Sequence, residues 1–253
     1  MRISLLPVVS ALAVSGVLSA CSDSKMGEVS LQLATRRPTV MSAGTQPSVV
    51  AAAGQLTVAL GPDEIVFDQI QLVLRKLQLD GAATASCPED AEGDSQCAGI
   101  RLGPVLFDMP LDAEAEPTLT ALVPVGTYNG FKFQLHKPSD ANADADLVAE
   151  HPEMEDVSIR AVGTYNGVPF TFTSDLTDVE ELALAEAVEV AEEGDLPLTL
   201  LVDASGWFAN ASGTGLVDPA QANDGGSYES EVEQNIRESF RAFRDGDADG
   251  TAD

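Results

Sequence analysis

The chain has 253 residues, with 13 Lys+Arg against 41 Asp+Glu and a formal charge of −28. That balance excludes a nucleic-acid surface, which needs clustered cations to displace counterions, and it opposes electrostatic docking on anionic headgroups. Hydrophobic residues make up 44%, enough for a folded core, but aromatics are only 5%, so aliphatic packing must dominate.

Residues 1–20 read MRISLLPVVSALAVSGVLSA: one Arg, an apolar run, then small residues. Pro7, Ser10 and Ser15 interrupt the run, which suits a signal peptide's apolar region better than a permanent span. The segment ends Leu18-Ser19-Ala20-Cys21, which resembles the bacterial lipobox. The resemblance implies that Cys21 is diacylated on its thiol and that the leader is cut just before it. Acyl chains on that residue would make the membrane a partner through an N-terminal anchor. By analogy with enteric lipoproteins, Ser22 in place of Asp after the cysteine implies delivery to the outer membrane.

A short tether, residues 21–27, is expected before a strand signalled by Val29, Leu31 and Leu33, which alternate with polar residues. Residues 36–54 lack a period and carry two prolines, so they read as a long loop. In residues 64–80, Val66, Asp68, Ile70, Leu72 and Leu74 share parity. Leu77 and Leu79 switch parity after Arg75-Lys76, the mark of a β-bulge.

Cys87 and Cys97 bracket a polar segment. In an exported protein this reads as a local disulfide, worth roughly 2–3 kcal/mol in the chain-entropy model. Two free thiols, or a metal pair lacking partners, are the alternatives.

Further strands are expected at 100–108, 118–124 and 126–136. Residues 156–163 and 168–174 then form a hairpin around Asn166-Gly167. Residues 182–190 have strand parity, although their Ala/Glu/Leu content also suits a helix, and they are read as a strand. Residues 196–202 follow. The hexapeptide Val-Gly-Thr-Tyr-Asn-Gly occurs at 125–130 and again at 162–167, and reads as two turns of the same kind rather than a structural repeat. Trp207 reads as a core plug rather than a ligand platform. The pattern predicts an all-β antiparallel sandwich, transthyretin- or immunoglobulin-like, over residues 28–210.

Residues 211–229 are expected as a linker and 230–253 as a C-terminal helix with an Asp-rich tail. Ser230-Glu231-Val232-Glu233 is a capping-box sequence, and Val232, Ile236, Phe240 and Phe243 form one helical stripe. Behind them, Asp245-Gly-Asp-Ala-Asp-Gly-Thr-Ala-Asp253 resembles the start of an EF-hand or dockerin-type calcium loop. Calcium takes six to eight hard oxygens. The resemblance assigns Asp245, Asp247 and Asp249 to the first ligand positions, Thr251 to the carbonyl position and Asp253 to the ninth, with its α-carboxylate as an added oxygen. No twelfth-position Glu and no second helix follow, so the expected affinity is weak, on the order of 10⁻⁴–10⁻³ M. A second acidic run, Asp140 to Asp146, has similar spacing but Ala145 at the turn position. His136 and His151 beside it are a poor zinc set.

Taken with the cysteine-bounded loop, residues 103–111 (GPVLFDMPL) and Pro124 to Tyr128, the chain resembles uncharacterised bacterial lipoproteins with a presumed transthyretin-like sandwich. That resemblance implies no activity. No nucleophile elbow, zincin helix, phosphate loop or dinucleotide fingerprint is present. The expectation is a non-catalytic, outer-membrane binding or structural module with an unknown protein or glycan partner. A carboxylate-dependent hydrolase and an accessory lipoprotein of a larger envelope assembly are the alternatives.

Overall fold

The structure, a computed structural model, describes residues 25–35, 47–52, 54–81, 98–111 and 116–253. Cys21, Cys87 and Cys97, with the lipobox and the cysteine-bounded loop, lie outside the described residues. The strands are β1 (Met26–Thr35), β2 (Ser48–Ala52), β3 (Gln55–Leu60), β4 (Asp63–Asp80), β5 (Gly99–Arg101), β6 (Val105–Asp108), β7 (Glu116–Pro124) and β8 (Gly126–Leu135). A short helix α1 (Ala145–Glu150) precedes β9 (Ile159–Tyr165), β10 (Val168–Ser174), β11 (Val179–Val190) and β12 (Asp195–Val202). Helix α2 (Glu229–Arg237) and β13 (Phe240–Arg244) complete the order. This is the expected all-β sandwich.

One sheet has four strands in the order β13-β12-β1-β7. The other is built on β4, which pairs with β3, β5, β6, β8 and β9, while β10, β11 and β2 lie farther out. All pairings are antiparallel except β1 with β12, which run parallel from Glu28/Asp195 to Thr35/Val202. Inward residues of both sheets, among them Leu31, Leu198, Phe133 and Leu72, have no exposed surface.

β4 keeps its apolar face inward by slipping twice. Ile65 and Phe67 point to the core, then the register against β9 shifts between Phe67 and Gln69. Ile70, Leu72 and Leu74 follow, and a second shift against β8 lies between Arg75 and Gln78. Lys76 there has φ 54°, and Leu77 and Leu79 return to the core. The second bulge is the one expected. The first was not, so Val66 and Asp68 belong to the outer face. Across from it, Gly163 leaves no room for a side chain, since a Cβ would stand 1.9 Å from the Val66 carbonyl oxygen.

Several expectations need correction. Residues 48–52, assigned to a loop, form β2, an edge strand on β3 alone with Val50 54% exposed. An edge strand has no partner on one side and needs no regular apolar alternation. Met26 and Gly27, expected in the tether, already belong to β1. The two hexapeptides are not two turns. Asn166 (φ 50°) and Gly167 (φ 78°) turn the β9–β10 hairpin, but residues 126–130 run within β8, where β11 pairs with Gly126 to Tyr128 and both β11 and β4 pair with Gly130.

The C-terminal helix is also shorter than expected. α2 begins at Glu229, after Tyr228, without a side-chain cap, so Ser230 caps nothing. It ends before Ser239, whose hydroxyl donates to the Ile236 carbonyl and whose own carbonyl accepts from the Asp203 N–H. That bond feeds the chain into β13. Phe240 and Phe243 therefore sit on a strand, and only Val232 and Ile236 of the expected stripe are buried on the helix.

Residues 211–229 contribute buried Leu216, Val217 and Ala222, and β13 completes a sheet, so the tail packs as part of the sandwich. Trp207 is a core plug as expected. It is fully buried against Phe67, with its indole N–H on Ser239 Oγ at 3.0 Å.

α2 is fastened to the residue just before β11 by Arg237, whose Nε donates to Asp178 Oδ2 at 2.9 Å with Glu233 nearby. Partial burial pushes the Glu180 carboxyl up, the Asp178 charge adds to this, and Arg237 opposes it. A carboxyl with a raised folded-state pKa favours the folded state when protonated, so ionised Glu180 costs stability at neutral pH. Glu180→Gln is therefore expected to be the more stable protein at pH 7. Urea midpoints for the two proteins should converge as pH falls through the raised pKa toward the ordinary carboxylate value. A gap that widens on acidification would contradict the assignment.

Candidate metal centre

The Asp-rich end leaves β13 at Arg244 and folds back on the sheet. Asp245 stands opposite Pro197 of β12, its N–H reaching the Pro197 carbonyl at 3.4 Å. It has no exposed surface. Its carboxylate accepts from Thr199 Oγ1 at 3.1 Å, from the Asp249 N–H at 3.0 Å and from the Gly250 N–H at 2.8 Å. A buried carboxylate is tolerated only when such donors replace water. Ala248 (φ 56°) and Gly250 (φ 76°) take left-handed backbone, letting the chain curl so that two N–H groups meet one side chain.

Asp253 closes the loop. Its N–H donates to the Arg244 carbonyl at 3.2 Å, and its Oδ2 accepts from the Gly246 N–H at 3.0 Å, with Arg244 Nε at 3.7 Å. Carboxylate oxygens of Asp245, Asp247 and Asp253 thereby lie within 4.8 Å of one another, the only such group among the described residues. Hard oxygens converging at this spacing suit a calcium-type cation. Asp249 is not brought into that group. Its Oδ1 accepts from the Thr251 N–H at 2.8 Å and from Thr251 Oγ1 at 2.5 Å. Three of the five expected ligand residues thus converge, while Asp249 and Thr251 bond to each other.

The element leading into the loop is a strand, not the helix that an EF-hand would place there. The Phe-Arg-Ala-Phe-Arg sequence carries the signal, since Phe240 and Ala242 alternate with Arg241 on a period of two. The acidic run at 140–146 does something else. Asp144 Oδ1 pairs with His136 Nε2 at 2.9 Å, both buried, and its Oδ2 accepts the Ser139 N–H. His151 Nδ1 lies 3.6 Å from Glu153. Thr199 and Gln32, buried on the outer face of the four-stranded sheet, were missed as site residues. Their one signal is polarity at the outward positions of strands whose alternate residues are apolar.

No family model matches the sequence, and no curated protein does. A solved structure that it resembles is MbnP from Methylosinus trichosporium, at 12% identity over 73% of this chain and 78% of that one, with a TM-score of 0.37. Similarity at this level says nothing about what this chain binds. Among the described residues, no helix is long and apolar enough to cross a membrane.

Asp245→Ala strips an acceptor from Thr199 and from two backbone N–H groups, and should cost about 1–3 kcal/mol in chemical denaturation. Asp247→Ala, at an exposed position, should stay within about 0.5 kcal/mol in a chelating buffer. Equal losses in the two variants would contradict Asp245's role as the loop's internal anchor.

Proposed function

We propose that this chain is a non-catalytic binding or structural module of the bacterial envelope. It is held at the outer membrane through lipid on Cys21, and its C-terminal loop takes one calcium ion. The anchor reading rests on Leu18-Ser19-Ala20-Cys21 at the end of an apolar leader. The observation that carries the calcium reading is the convergence of Asp245, Asp247 and Asp253 on a buried, hydrogen-bonded floor. Three carboxylates held this close repel one another, and a divalent cation between them turns that repulsion into attraction. Asp247 is exposed and follows Gly246, whose freedom of backbone choice leaves it the ligand able to swing onto the ion. The ion would then tie the loop to β12 through Asp245 and to β13 through Asp253.

Calorimetric titration of calcium into the chain lacking residues 1–21 should give one weak site, with Kd on the order of 10⁻⁴–10⁻³ M. Asp247→Ala should remove the heat and leave the fold intact. No heat at millimolar calcium overturns the ion reading. For the anchor, the intact mass of membrane-extracted protein should show loss of residues 1–20 and an acylated Cys21. An unmodified Cys21 overturns that half of the proposal.

A further inference from the structure

Where the two sheets meet along one side, they leave a groove. β13 ends the four-stranded sheet and β11 lies at the margin of the other, and they do not pair with each other. The cleft between them has a volume of about 530 Å³ and is walled by Leu182, Ala183, Leu201, Phe240 and Phe243, with Thr251 of the C-terminal loop along one side. Its size falls within the range of small-molecule sites, and its walls are largely apolar, as such sites are.

Two charged residues line it, Glu181 and Arg241. Glu181 is engaged by Lys132 of β8. Arg241 makes no ion pair among the described residues. One of its terminal nitrogens, Nη1, donates to the Glu238 carbonyl at 2.9 Å and to the Phe240 carbonyl at 2.6 Å. Nε and Nη2 keep their donors for another acceptor. In a chain with 41 acidic and 13 basic residues, a guanidinium without a carboxylate, at the rim of an apolar groove, is a site for an anion attached to an apolar body.

The open edge of β13 narrows the choice of body. A peptide strand would bring backbone N–H and C=O groups that need partners, and the Phe240 and Arg244 carbonyls on that edge are already taken by Arg241 and by the Asp253 N–H. An alkyl chain needs no such partners.

We propose that this groove binds an aliphatic carboxylate, a fatty acid of medium length. Its chain lies along Leu182, Leu201 and Phe243, which are partly exposed, and its carboxylate takes the fork of Arg241. The groove is built from β11, β12 and β13 and does not depend on calcium in the neighbouring loop. Thr251 supplies one wall, so the ion would adjust the fit rather than create it.

The test is calorimetric titration of dodecanoate, below its micellar concentration, into the intact chain, in calcium and in EGTA. Saturable one-to-one binding is expected in both buffers, with 1-dodecanol at least about tenfold weaker. Arg241→Gln, a change at an exposed position, should weaken dodecanoate about tenfold, and Leu201→Glu should abolish binding while the thermal transition persists. The proposal is overturned by an absence of saturable binding, by dodecanol binding as tightly as dodecanoate, or by an Arg241→Gln protein that binds like the parent. Dodecanoate binding in EGTA with no calcium heat would overturn the calcium reading alone.

Discussion

A strand must place its side chains on alternate faces, and β4 runs for 18 residues across a core that curves away beneath it. Strict alternation over that length would carry half of its apolar residues out to solvent as the sheet twists. The two register shifts solve this by resetting which parity faces inward, first beside Phe67 and then beside Lys76. Everything in the larger sheet inherits its position from those resets. β9 and β8 share one side of β4 in succession, and β3, β6 and β5 share the other. Phe67, turned inward before the first reset, meets Trp207, Phe208 and Phe170, and through Trp207 the core reaches Ser239. Ser239 is where the helix stops and the last strand begins. From there β13 pairs with β12 and carries the candidate metal centre onto that sheet.

The sandwich was legible because its buried strands are long and alternate cleanly, as with Val29, Leu31 and Leu33 or Phe131, Phe133 and Leu135. Errors gathered where local pattern and tertiary pairing disagree. β2 is an edge strand, so its Val and Ala residues face no regular division between core and water. The segment 240–244 has a helical spacing when joined to Val232 and Ile236, and a strand spacing when read alone. The sheet edge left open by β12 decides for the strand. Asn129-Gly130 has turn chemistry, but Gly130 is paired to both β4 and β11 and continues the strand, whereas Asn166-Gly167 lies at the end of the β9–β10 pair and turns. At the Asp-rich end, spacing located the loop and three of its carboxylates. It gave no hint of Thr199, which lies far off in the sequence and meets Asp245, or of Gln32, which meets Thr199 across the β1–β12 pairing.

The same loop also settles a hazard of open sheets. β13 pairs on one side only, and an exposed strand edge invites association with another chain. Here Asp253 occupies the Arg244 carbonyl and Arg241 occupies that of Phe240. β11 stands across the gap without pairing, and the strong negative charge of the surface discourages a second copy from approaching. An edge guarded in this way offers an incoming strand fewer free carbonyls to pair with.

The parallel pairing of β1 with β12 has a mechanical meaning. β1 starts at Met26, directly after the segment that would join the fold to a membrane, and it occupies an interior position in its sheet between β12 and β7. Tension arriving at Lys25 pulls along the axis of β1. Its bonds to both neighbours then resist together in shear, rather than opening one at a time from an edge. β12 pairs in turn with β13, so the two ends of the described chain lie in or beside one four-stranded sheet. A protein tethered by its N-terminus to a surface under flow or crowding would be gripped at its strongest seam.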